Sequence, residues 1–498
     1  MSTQVWQRPF GAVPLQEGGT EFRVWAPSAT RVDVRLHGRD HALSPLEGGV
    51  FAGEAFADPG DDYLLVLDGG AALPDPCSRC QPAGIKGPSR VVDTSAFSIA
   101  PKPQLTLDEL VLYELHVGTF TEEGTFDAAI PHLDRLCELG VTAVELMPVA
   151  TFPGERGWGY DGVYLYAPHH AYGGPEGLVR FVDAAHRAGL GVLLDVVYNH
   201  TGPGSEAIGA FGPYFTDAHH TFWGSAIDYS QRGVREWAIG NAIMWTREFG
   251  IDGLRLDAVH SIYDDDSPVH VLRELRDRVE GLVTSEMGYD DFRPLTEWGH
   301  DAMWLDNLHH ELHVLLTGER QGYYERFGSL DGVVRELTRP EPERLIVAAQ
   351  NHDQVGNRAL GDRLPPDAHR VALAVVLFSL NTPLVFMGEE HNERAPFQFF
   401  SDHIDPAIAD ATREGRRREF AAFTSFSGEQ VPDPQDESTA RRSVISHGAA
   451  DPLYRELLQL RRTLPRELDV ATHGNVLTMR RGDRMLLVDF DGKAVELR

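Results

Sequence analysis

Between Leu110 and Met387 the chain repeats one pattern: a short apolar run, then a segment in which apolar residues recur at helical spacing. The apolar runs are Leu110–Leu115, Val141–Met147, Gly191–Val197, Ile251–Asp257, Leu282–Glu286, Ala302–Leu305, Leu345–Gln350 and Pro383–Met387. Helical stretches over Phe126–Leu139, Pro175–Ala188 and Val234–Phe249 stop at Gly140, Gly189 and Gly250, the residue type that best tolerates the left-handed turn ending a helix. Further helices are predicted near His270–Val279 and over Val371–Leu380. Strands that read as continuous apolar runs are buried on both faces, which needs parallel pairing with helices packed outside. Eight such units predict an α/β fold, a (β/α)₈ TIM barrel. A doubly wound sheet is the alternative, but no Gly-x-Gly-x-x-Gly fingerprint follows any of the runs.

The flanks read differently. From about residue 8 to residue 95, Glu21–Pro27, Arg31–Leu36 and Asp62–Gly70 alternate polar and apolar residues between turns, the signature of a small antiparallel sandwich. The expected organisation is an N-terminal β-sandwich domain over 1–98, the barrel over 106–464 and a short C-terminal β domain over 465–498. The Pro-rich segment Ala100–Leu105 reads as a linker, and the stretch from the eighth strand to about Gly448 as irregular. A helix over Pro452–Thr463 then covers the barrel.

With 75 acidic residues against 45 basic, the formal charge is −30. Such a surface repels phosphate backbones and anionic lipid, so neither a nucleic-acid nor a membrane partner is expected. Three cysteines occur; Cys77-Ser-Arg-Cys80 has zinc or redox spacing, but no second pair completes a site, so two thiols in a loop are expected. No segment reads as a signal peptide, and Val371–Leu380 is too short to span a bilayer. A cytoplasmic location fits these features.

A barrel of this kind carries its chemistry at the C-terminal ends of its strands. Asp195, Asp257, Glu286 and Asp353 all fall there, with Trp158, Tyr160, His200 and His352 at the same rim. Carboxylates among aromatic faces suit a sugar, which offers hydroxyls to the first and C–H faces to the second. Arg255 and Asp257 sit two apart on one strand and share a face. The guanidinium favours the ionised carboxylate, as a glycosidic nucleophile requires. Glu286 has no basic neighbour in sequence, so a raised pKa and an acid role are expected of it. Asp264-Asp265-Asp266 reads as a solvated loop. His309 and His313 could share a helix face without a third ligand, and no metal and no cofactor are expected.

Four short motifs appear in order: Asp195-Val196-Val197-Tyr198-Asn199-His200, Gly253-Leu254-Arg255-Leu256-Asp257, Thr284-Ser285-Glu286 and Gln350-Asn351-His352-Asp353. On these the chain resembles the α-amylase family of glycoside hydrolases. Leu73-Pro74-Asp75-Pro76, His309-His310-Glu311-Leu312-His313, Asn351 through Arg358 and Val431-Pro432-Asp433-Pro434-Gln435 make it most similar there to the maltooligosyltrehalose trehalohydrolases. The resemblance implies Asp257 as nucleophile, Glu286 as general acid/base and Asp353 as stabiliser of the transition state. It places Arg255, His200 and His352 around the reacting glucose, with Tyr160 stacked on its face, and His260 against the leaving-group sugars. Asn199 matches a calcium-binding position of many α-amylases whose other ligands cannot be traced here. The implied substrate is an α-glucan chain ending in trehalose, supplied by a maltooligosyltrehalose synthase. A glucan branching transferase and a non-catalytic carbohydrate-binding scaffold are the alternatives. Asp306-Asn307-Leu308 departs from the acidic-aromatic run expected in the family.

Overall fold

The computed structural model describes residues 3–498 apart from 222, 289 and 422–430. Its centre is a closed barrel of eight parallel strands. These are β1 (Leu112–Leu115), β2 (Ala143–Leu146), β3 (Gly191–Val196), β4 (Gly253–Leu256), β5 (Leu282–Ser285), β6 (Ala302–Trp304), β7 (Leu345–Ala348) and β8 (Thr382–Phe386). The pairing of β1 with both β2 and β8 closes the ring. Leu112, Ala143, Leu193, Ala302, Trp304, Ile346, Ala348 and Leu384 fill the interior. The outer faces pack on helices that include Gly174–Arg187, Arg232–Arg247, Val271–Arg278, Asn307–Thr317, Leu330–Leu337 and Pro366–Phe378.

Two antiparallel sheets precede the barrel. One runs Gly11–Pro14, Thr20–Trp25, Val50–Ala55, Ser44–Pro45; the other Arg39–Ala42, Val32–Leu36, Asp62–Leu67, Ala72–Leu73, with Ser89–Arg90 also paired to Asp62–Leu67. Phe22 from the first meets Tyr63 from the second edge-on at 5.0 Å, in the core between them. A four-stranded antiparallel sheet over Asp469–His473, Val476–Arg481, Arg484–Asp489 and Ala494–Leu497 ends the chain.

Local chemistry accounts for the departures from expectation. The helix expected over Phe126–Leu139 is broken into Phe126–Ala129, a 3₁₀ turn Ile130–His132 and Leu133–Leu139. Pro131 brings no backbone N–H and interrupts the ladder. The segment Ala100–Leu105 is no free linker: Lys102 Nζ donates to the carbonyls of Thr246 and Ile251 at 3.0 and 2.6 Å, and Ala100 N–H to Asp183 at 2.8 Å. The stretch read as irregular holds two helices, Pro406–Ala421 and Glu437–Arg442, and its residues 422–430 lie outside the described residues. Nor is the acidic triplet all solvated. Asp265 and Asp266 are exposed, but Asp264 is buried, accepting from Arg235 Nη1 at 2.5 Å and Val271 N–H at 2.6 Å. It takes the first N–H of the helix Val271–Arg278 and ties that helix to Arg232–Arg247 before it.

Candidate active site

The site grows from β4. Arg255 is fully buried, its guanidinium 4.3 Å over the ring of Trp304 from β6. Register places Asp195 of β3 and Thr284 of β5 on either side of it. Arg255 Nη1 donates to Asp195 Oδ2 and to Asp257 Oδ1, both at 2.7 Å, and Nη2 donates to Glu286 Oε2 at 2.8 Å. Glu286 therefore does have a cationic neighbour, one that the pairing of β4 with β5 brings to it. The chain leaves Asp257 through Ala258 in the left-handed region, at φ +39°. For a non-glycine residue that conformation is costly. Here it aims the Ala258 N–H at Glu286 Oε2, 3.0 Å away.

Asn199 donates its amide to both the backbone carbonyl and Oδ2 of Asp257 at 2.8 Å. With Arg255 on Oδ1, both oxygens of that carboxylate are oriented. His200 bonds the Asn199 side chain through Nδ1 and the Tyr160 carbonyl through Nε2 at 2.9 Å, and it stacks on Trp223. Burial pushes its pKa down to about 4, against the pull of the Tyr160 carbonyl.

Tyr160 is the hinge between two halves of the site. Its hydroxyl donates to Asp195 Oδ2 at 2.6 Å and lies 2.8 Å from His352 Nε2, and its ring stacks on that imidazole. His352 meets Glu114 of β1 twice, through Nδ1 to Oε1 at 2.6 Å and through its N–H to Oε2 at 3.0 Å. Burial opposes its charge, but Asp353 and Glu114 prevail and lift its pKa to about 10. A protonated His352 thus donates from both nitrogens, fixing the line Glu114, His352, Tyr160, Asp195. For Asp195, burial outweighs the attraction of Arg255 and raises the pKa to about 7.

Asp353 faces the cleft, its side chain 39% exposed, with Asn357 donating to Oδ1 at 3.0 Å. His260 is exposed on the 3₁₀ turn Val259–Ser261 and has no hydrogen-bond partner among the described residues. It therefore does not pack beneath the neighbouring acidic loop. Trp158 is not on the open rim. It is buried, stacked on Phe397 at 4.9 Å and bonded to the Gln398 carbonyl, with its edge toward His352. It backs the imidazole and offers no platform to the cleft.

The sequence assigned no site role to Glu114, Glu145, Trp304 or Asp306. Glu114 and Glu145, like Asp195, each sit inside an otherwise apolar run, which marks them as buried acids. Asp306 is pushed up to about 7 by burial and by Glu286 and Asp353, and it accepts from Gln354 at 2.7 Å. Nothing in its local sequence indicates that position. His309 and His313 are absorbed by Ala349, Tyr324 and Glu319. Among the described residues no group of three His, Cys, Asp or Glu side chains is placed to hold a metal ion, and the cysteines are free thiols.

The chain is similar to known proteins over nearly its whole length. A Deinococcus radiodurans malto-oligosyltrehalose trehalohydrolase is 42% identical, covering 96% of this chain and 88% of that protein. The chain belongs to the malto-oligosyltrehalose trehalohydrolase family. Residues 88–211 match the model of the alpha amylase catalytic domain. A crystal structure of a Salmonella typhimurium protein described as an alpha amylase superposes with a TM-score of 0.86 at 36% identity, covering 96% of this chain and 92% of that one. A Salinibacter ruber 1,4-alpha-glucan branching enzyme is 32% identical over 57% of this chain and 52% of that protein. Within this malto-oligosyltrehalose trehalohydrolase family chain the amylase-domain match ends soon after β3. Arg255, Asp257, Glu286 and Asp353 lie beyond it, so their roles are argued from geometry.

Proposed function

We propose that the chain hydrolyses, with retention, the α-1,4-glucosidic bond next to the terminal trehalose of maltooligosyltrehalose and releases trehalose. The observation that supports this best is the sharing of one buried guanidinium by Asp257 and Glu286. A retaining glycosidase needs its two carboxyl groups close enough, roughly 5–5.5 Å apart, to act on one bond, and a shared guanidinium keeps this pair side by side.

Glu286 Oε2 is occupied by Arg255 and the Ala258 N–H, which leaves Oε1 to carry the proton. That proton passes to the glycosidic oxygen as the bond to the anomeric carbon breaks. An Asp257 carboxylate oxygen attacks the same carbon and forms a glycosyl ester. Trehalose departs, then water adds to the anomeric carbon while Glu286 takes its proton, breaking the ester and freeing the shortened glucan. Asp353 holds sugar hydroxyls, and Tyr160, with His352 behind it, packs against the reacting glucose. His260, exposed just past the nucleophile's turn, is positioned to hydrogen-bond the trehalose unit. The substrate would be supplied in the cytoplasm by a maltooligosyltrehalose synthase.

The alternative with another glucan hydroxyl in place of water is the branching reaction. The higher identity and fuller coverage of the trehalohydrolase relative favour water. Incubation with maltooligosyltrehalose tests this: trehalose is the expected first disaccharide, with the new reducing end initially α by NMR. Branched glucan without trehalose, or an initial β anomer, would replace the reading.

A further inference from the structure

Glu145 lies beside Glu114 in the barrel wall, because β1 and β2 pair with those residues in register. Both side chains leave on the face that Leu112 and Ala143 bury inside the barrel. Glu114 uses both oxygens on His352. Glu145 is 1% exposed, and neither of its oxygens has a hydrogen-bond partner among the described residues. Asp195 Oδ1 on β3, Arg255 Nε on β4 and Trp304 Nε1 on β6 are buried without partners as well. The charged groups that face Glu145 are Glu114, Arg255, Asp195 and His352. Burial first, then the like charge of Glu114, push its pKa well above the usual carboxyl range against the pull of Arg255.

Three carboxylates already share Arg255. A fourth ionised carboxylate beside them would compete for that guanidinium and loosen its hold on Asp257 and Glu286. We propose that Glu145 is a positioning residue acting as an undissociated carboxylic acid, which keeps negative charge away from Arg255 and presents an O–H donor to the carboxylates of the neighbouring strands. The role rests on the reading of Asp257 and Glu286 given above. The protonation state itself does not, so the two can fail separately.

The first arm is spectroscopic. In protein with ¹³C-labelled glutamate side chains, one undissociated carboxyl signal should persist at about pH 9, well above the ordinary glutamate range. It should survive in Glu286→Gln and vanish in Glu145→Gln. Absence of such a signal in the wild type, or its persistence in folded Glu145→Gln, would overturn the proposal. The second arm is kinetic. Glu145→Gln, which mimics the neutral acid, should keep kcat on maltooligosyltrehalose within about threefold, with the acid limb of the pH–rate profile unmoved. Glu145→Met, which fills the space without a donor, should lower kcat by at least about tenfold with a smaller change in KM. If Glu145→Gln is folded but inactive, the ionised form is needed; if Glu145→Met matches the wild type, no positioning role exists. Either result defeats the proposal.

Discussion

Asp257 is held at both carboxylate oxygens, by Arg255 on one and Asn199 on the other. Such fixation places a nucleophile without reorganisation at the moment of attack. Asp257→Asn cannot form the ester and should lower kcat by at least about a thousandfold while circular dichroism stays unchanged. Substantial residual turnover would transfer the nucleophilic role to another carboxylate. His260 tests selectivity instead. It stands exposed beside the same turn, so a hydrogen bond to trehalose would be its main contribution. His260→Ala should narrow the preference for maltooligosyltrehalose over a maltooligosaccharide of equal length, by roughly 5- to 150-fold. Equal loss on both substrates would place trehalose recognition elsewhere on the rim.

Single elements are coupled by ion pairs across the barrel mouth. Glu114 on β1 grips His352 at the start of the short helix His352–Gly356 after β7, so the protonation of His352 belongs to the register of the barrel as well as to the site. Its pKa is raised from 6.5 to about 10 in the folded protein. A raised value means that its contribution to stability is complete below the unfolded pKa and is lost as pH rises through about 10. Asp195, raised to about 7, loses its contribution with the same sign, at lower pH. Urea unfolding between about pH 6 and pH 10 should therefore show stability falling with pH in the wild type. Glu114→Gln removes one of the groups that raise His352, so the fall between about pH 8 and pH 10 should shrink in that variant. Parallel wild-type and variant curves would dissociate His352 from stability.

Across the whole molecule, the N-terminal sheets are fastened to the barrel's flank. Arg79 forms two 2.7 Å bonds with Glu248, at the C-terminal end of the helix Arg232–Arg247, and a third to the Phe10 carbonyl at 3.0 Å. Trp25 lies edge-on to Tyr214 and packs so closely on Gly233 that a Cβ there would fall 2.1 Å from the indole. Arg79 is almost wholly buried, so removing its partner strands a charge. Glu248→Gln should cost about 3 kcal/mol in urea unfolding while the protein still unfolds in one transition. A cost under about 1 kcal/mol would mean that apolar contact alone joins the two parts.

Barrel class and strand order were legible in the chain, because a strand buried on both faces must be apolar throughout. Periodicity of that kind is a local property. The carboxylates at strand ends were legible for the same reason: a polar residue directly after an apolar run has only the rim to occupy. What the sequence could not decide was who meets whom. Glu286 has no cation near it along the chain, yet the pairing of β4 with β5 puts Arg255 against it. Trp158 reads as a rim aromatic, and Phe397, more than two hundred residues on, draws it into the core. Asp264 reads as one of three solvated acids until Arg235 claims it. Each of these outcomes depends on charge and packing between segments far apart in sequence. Only strand pairing and the packing of helices and loops on the barrel bring such segments within reach, so only the tertiary structure could decide them.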